Sequence, residues 1–164
     1  MNGSDKEQGK NFMSLQLQSL SLSDARRMIA AGEKMAGELG IPYNIAVVDS
    51  GGALITHVRM DGAWLGSIDI SINKAFTARA FDMSTEDLSG ASQSGQSLFG
   101  INSTNESKVV IFGGGIPIKV DGKVIGAVGA SGGSVVNDVK VAAAAASAFI
   151  ASVEPKFVQC AIGD

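Results

Sequence analysis

Asp121-Gly122 stands between two apolar runs, Ile116–Val120 and Lys123–Ser131, and no other feature of this 164-residue chain limits its fold so sharply. A two-residue Asp-Gly loop closes a type I′ turn, with positive φ at both central residues, so the flanking runs must be antiparallel neighbours. Glycines crowd both mouths of this hairpin, at Gly113-Gly114-Gly115 before it and Gly132-Gly133 after it. Along the second strand Val124, Gly126, Val128 and Ala130 point one way, and Ile125, Ala127, Gly129 and Ser131 the other. Glycine there leaves bare backbone that a helix, a ligand or another subunit can approach closely.

The remaining elements follow from period and punctuation. Residues 1–18 are polar and aperiodic and are expected to be a flexible leader, with Met13 the more natural start. Residues 19–164 are expected to form one domain. Leu22, Ala25, Met28, Ile29, Met35, Ala36 and Leu39 recur with the 3.6 period of an amphipathic helix, which Ser21 or Ser23 caps and Gly40 with Pro42 ends. Asn44–Asp49 and Ala53–Met60 read as a second hairpin around Ser50-Gly51-Gly52. Ser67 is the expected cap of a helix running to Phe81, and Ser84 with Asp87 opens a short one. Residues 89–107 form a long polar loop, a candidate lid or subunit contact. Lys108–Phe112 is expected to be a strand, and Asn137 or Asp138 to cap a last Ala-rich helix from Val139 to Val153. Strands joined by tight turns cannot be parallel. The expected fold is therefore α+β, a five-stranded antiparallel sheet with helices packed on it.

Composition excludes several functions. A net charge of −3 with scattered lysines gives no nucleic-acid footprint, and no apolar run is long enough to span a membrane. Cys160 is the only cysteine, which rules out a disulfide framework or a paired-cysteine metal site and makes a cytoplasmic setting the expectation.

Few residues can carry chemistry. His57, Arg59 and Asp61 have the i, i+2, i+4 spacing that sets three side chains on one face of a strand, and His57 is the only histidine. His57 and Asp61 are the candidates for proton transfer and Arg59 for holding a carboxylate; the alternative is a structural Arg59–Asp61 pair. Lys74 on the second helix is a candidate partner for Asp61, Asp49 or a ligand carboxylate. Gly113, Gly114 and Gly115 lack the Lys-Ser/Thr and the strand-to-helix context of a phosphate loop, but they let a ligand touch backbone. Ser131, with Gly132-Gly133-Ser134, lies before the last helix, where free N–H groups suit a carboxylate; the alternative, which weighs more, is a helix entrance that needs glycine for its geometry. No metal site is expected, and two histidines cannot hold a haem within one chain.

Several motifs, in order, carry a resemblance: Ile45-Ala-Val-Val-Asp-Ser-Gly-Gly52, Arg59-Met-Asp-Gly-Ala63, Lys74-Ala75 with Thr77-Ala78, Gly113-Gly-Gly-Ile-Pro-Ile118 and Ile125-Gly-Ala-Val-Gly-Ala-Ser-Gly-Gly133. From about Ser21 to Val153 the chain resembles the GlcG/HbpS family, which includes the C-terminal domain of PduO-type corrinoid adenosyltransferases. The resemblance implies a profilin-like fold, with helices on both sides of the sheet, assembled into dimers or larger homo-oligomers. It also implies haem as cofactor or ligand, since members bind haem, and some are described as degrading it or as sensing redox state. The expectation is an oligomeric binding protein for haem or a similar carboxylate-bearing small molecule. Its rivals are a metal-independent enzyme acting on an organic acid and a structural or interaction module.

Overall fold

The computed structural model describes residues 15–153. Within them the order is α1 (Leu22–Leu39), β1 (Asn44–Val48), β2 (Leu54–Arg59), α2 (Gly66–Ala80), α3 (Thr85–Ser92), β3 (Gly115–Val120), β4 (Lys123–Ser131) and α4 (Val135–Val153). The strands form one antiparallel sheet in the order β2-β1-β4-β3. Asp121 and Gly122 take φ of 50° and 75°, as the type I′ turn requires.

The sheet has four strands among the described residues, not five. Lys108–Phe112 makes no ladder because a helix side chain takes its polar groups: Val110 N–H donates to Thr77 Oγ1 at 3.0 Å, and Thr77 Oγ1 also lies 3.3 Å from the Lys108 carbonyl. Gly114, at φ 113°, then turns the chain before β3 can begin. The long polar loop is also more ordered than its composition suggests. The end of the expected short helix, α3, runs into it as far as Ser92, and it holds two 3₁₀ turns at Ile101–Ser103 and Asn105–Ser107.

Capping explains where the helices start and stop. Ser21 and Asp24 make a reciprocal capping box on α1, and Gly40 closes it in the left-handed conformation, each cap being worth about 1 kcal/mol. At α2 the expected cap is absent: the helix already runs from Gly66, and the Ser67 hydroxyl meets Ser131 Oγ at 3.1 Å. α4 starts at Val135, so Asn137 and Asp138 lie inside its first turn, and Ser134 Oγ accepts from Asn137 N–H.

The sheet is sandwiched. One face packs Ile45, Val47, Val128, Ala130 and Ile118 against Met28, Ile29 and Ala36 of α1 and Val141, Ala142, Ala145 and Phe149 of α4. The other face packs Ala46, Val48 and Ala127 against Ala75 and Ala78 of α2. With side chains this small, α2 rests almost on the sheet backbone. A Cβ on Gly129 would strike the Ser71 carbonyl oxygen, and one on Gly115 the Lys74 carbonyl oxygen.

Candidate functional site

The register sets His57 in a row with three small residues: His57 faces Ala46, Ala46 faces Gly129, and Gly129 faces Gly115. All four point toward α2, because residues opposite each other in a ladder share a face. α2 crosses the small end of this row, over Gly129 and Gly115, and leaves the His57 end less covered.

β2 is an edge strand, and its polar side chains are consequently the most accessible of the group. His57 is half-buried, while Arg59 and Asp61 are exposed. No hydrogen bond or ion pair joins Arg59 to Asp61 or to any other described residue. Nε2 of His57 is itself out of solvent and has no hydrogen-bond partner. Burial pulls the His57 pKa below its ordinary value, so the imidazole is neutral at neutral pH. Beyond the strand, Trp64 and Leu65 stand 66% and 70% exposed in the loop that leads to α2. Asn44, the β1 neighbour of Arg59, ties that loop down by donating from Nδ2 to the Trp64 carbonyl at 3.0 Å, and its own Oδ1 is buried without a partner.

Lys74 lies at the other end of the row and is fully buried. Its partner is Asp138 of α4, at 2.6 Å, rather than Asp61 or Asp49; a second bond goes to the Ala130 carbonyl at 3.0 Å, and the ammonium sits 4.8 Å from the centre of the Phe112 ring. Burial pulls the Lys74 pKa down, while the Asp138 hydrogen bond and charge oppose it. The second oxygen of Asp138 accepts from Gly132 and Gly133 N–H, so this carboxylate occupies the amides that the sequence offered to a ligand. Burial, reinforced by the Asp138 charge, also raises the Tyr43 hydroxyl above its ordinary range and keeps it protonated.

Gly113, Gly114 and Gly115 are buried against protein. Added Cβ atoms would meet Val139 at 2.8 Å, Lys74 Nζ and the Ala130 carbonyl at 2.8 Å, and Thr85 Cγ2 at 2.6 Å, respectively. Ser131 is buried on Ser67. The structure therefore brings Lys74, the three glycines and the Ser131 end of β4 into one packed junction. His57 and Arg59 lie on the opposite edge strand, with Asp61 in the turn just beyond it, two strand spacings from β4 and three from β3, which at about 4.8 Å per strand is roughly 10–14 Å away. Strand periodicity finds the second group. Asp138 has a weaker signal: an apolar helix that buries a lysine needs a carboxylate, and Asp138 follows the Gly-Gly pair that its oxygen binds.

A family model described as haem degrading protein HbpS-like matches residues 20–147. Over 136 residues the chain is 44% identical to a 15.0 kDa protein of the dhaT–dhaS intergenic region of Citrobacter freundii, covering 83% of this chain and 96% of that one. It is 38% identical over 130 residues to the corrinoid adenosyltransferase PduO of the same organism, covering 79% of this chain but 39% of PduO. Among solved structures, Klebsiella pneumoniae ORFY superposes with a TM-score of 0.83 at 43% identity, covering 85% of this chain and 96% of that one. The PduOC–haem complex superposes at 0.76 with 38% identity, covering 79% and 94%.

Proposed function

The chain belongs to the HbpS-like family, and on that premise we propose that it is a homo-oligomeric binding protein for haem or a similar flat, carboxylate-bearing ligand, working in the cytoplasm. The observation that carries this reading is the haem-bound relative with the same fold. The β2 edge supports it chemically. A neutral imidazole whose Nε2 has no partner is a suitable donor to iron, and the unpaired, exposed Arg59 on the same strand face suits a propionate. Trp64 and Leu65 add apolar surface for a macrocycle. Because Nε2 is shielded, His57 has to swing outward to offer it. Haem, when bound there, would supply the redox and oxygen chemistry; the protein's own part is to present the imidazole and hold the carboxylates.

Assembly is the second half of the proposal. Both β2 and β3 are open edges, and Trp64, Leu65, Phe99 and Val136 are each at least 65% exposed, more apolar surface than a soluble monomer usually shows. Light scattering at micromolar protein is expected to give at least a dimer mass, and a monomer mass contradicts it. Haem binding is tested by haemin difference spectra, in which His57→Ala is expected to give a band at an altered position.

The neutral His57 also favours a second reading: proton abstraction from an organic acid whose carboxylate Arg59 holds. Asp61 lies beyond the end of β2, in the turn that follows it, so His57 is the base in this reading.

A further inference from the structure

At the C-terminal end of α2, a cavity of about 430 Å³ opens between the β1–β2 turn, the β3–β4 turn and the segment leading into α1. Its size falls within the range of about 300–1,000 Å³ usual for small-molecule sites. The segment leading into α1 is anchored just after the lining residues Gln16, Leu17 and Gln18. Leu20 N–H donates to the Ile125 carbonyl at 3.0 Å, Ser50 N–H donates to Ser19 Oγ at 3.1 Å, and the Leu20 side chain fills the space where Gly126 lacks a Cβ, 2.5 Å from that position. Gly126 thus explains one of the glycines of β4: a side chain there would expel the segment that walls the cavity.

The lining holds two cations, Arg79 and Lys123, and one carboxylate, Asp121, and Arg79 is already paired with a second carboxylate, Asp82. Arg79 is held by its Nε bond to the Ser50 carbonyl and its Nη1 bond to Asp82, both 2.6 Å, and its Nη2 makes no hydrogen bond among the described residues. Lys123 reaches the cavity from the β3–β4 turn, exposed and without an ion pair among the described residues. Against these cations stands Asp121, and Gln16 and Gln18 add two amides. A guanidinium already set in place with one free nitrogen, and a second cation in the same lining, favour an anionic head group. The carboxylate and amides opposite them select a body rich in hydroxyl donors.

We infer that this cavity is a binding site for a small polyhydroxylated organic anion, its carboxylate or phosphate held by Arg79 and Lys123 and its hydroxyls by Asp121, Gln16 and Gln18. The site lies away from the β2 edge and is independent of the haem reading.

Equilibrium dialysis of the full chain against radiolabelled gluconate, glucose 6-phosphate and glucose tests it. Saturable retention of at least one anion is expected, with none of glucose; which anion binds identifies the head group. Lys123→Glu reverses an exposed, unpaired charge, which leaves the fold intact, and is expected to weaken binding roughly tenfold or more, while Lys123→Arg retains it. The inference is overturned if the wild-type protein retains neither anion, if glucose binds as well, or if Lys123→Glu binds like the wild type.

Discussion

Lys74 Nζ lies 2.6 Å from Asp138 Oδ2 across 64 positions of sequence, with the two side chains 0% and 4% exposed. The pair joins α2, on one face of the sheet, to α4, on the other. Two charges taken out of water gain little over an apolar pair, but either one left alone is expensive. Lys74→Met or Asp138→Leu is therefore expected to cost about 3–5 kcal/mol, and the Asp138 change more, because it also releases Gly132 and Gly133 N–H. Urea unfolding of the Lys74→Met/Asp138→Leu double variant is expected to recover part of the loss. A double variant as unstable as the sum of its parts would show that the pair is not the coupling described.

Glycines in this chain divide into those that carry packing and those that do not. A Cβ at Gly37, on the exposed side of α1, meets nothing within 4 Å, so Gly37→Ala is expected to stabilise by about 0.5–1 kcal/mol through helix propensity. At Gly129 the same change drives a methyl into the backbone of α2, at the Ser71 carbonyl and, 2.6 Å away, Ala75 N, and is expected to cost about 1–3 kcal/mol or more. Thermal melts of the two variants moving in the same direction would contradict this account of the α2–sheet contact.

His57 makes stability depend on pH in a definite direction. Its folded pKa lies below the unfolded value of about 6.5, so as the pH falls through that value the unfolded chain takes up the proton first. Stability is full above this window and declines with acidification until the folded protein also protonates. Because the chain has one histidine, His57→Gln isolates the effect. Melting temperatures of the two proteins are expected to diverge as the pH is lowered from about 7.5 to 5.5, the wild type falling faster. Parallel curves would mean that the imidazole is not desolvated.

Local structure was readable wherever chemistry acts over a few residues. Ser21, Gly40 and Asp121-Gly122 each specify a cap or turn through their own φ and hydrogen bonds; the structure has Gly40 and the Asp-Gly turn as expected and takes Ser21 of the two expected caps, adding Asp24 as its reciprocal partner. Long-range partners were not readable. Lys108–Phe112 is apolar enough for a strand, yet Thr77, more than 30 residues away, captures its backbone. The triple glycine reads equally well as a ligand platform or a helix seat, and only the position of α2 over Gly115 distinguishes them. Spacing placed His57, Arg59 and Asp61 together at the end of one strand. It carried no information that Lys74 would lie at the far edge of the sheet.

The central claim is that the β2 edge binds haem through His57 and Arg59, and a haemin titration followed at the Soret band tests it most directly. Arg59 is exposed and makes no bond to Asp61, so Arg59→Ala is expected to change stability by less than about 0.5 kcal/mol, which leaves the titration free of folding effects. The wild type is expected to show a saturable Soret shift at micromolar haemin, His57→Ala an altered band position, and Arg59→Ala an affinity lower by the equivalent of about 1.5–3 kcal/mol for a lost charged hydrogen bond. Absence of a saturable shift in the folded wild type, or identical titrations for all three proteins, would contradict it.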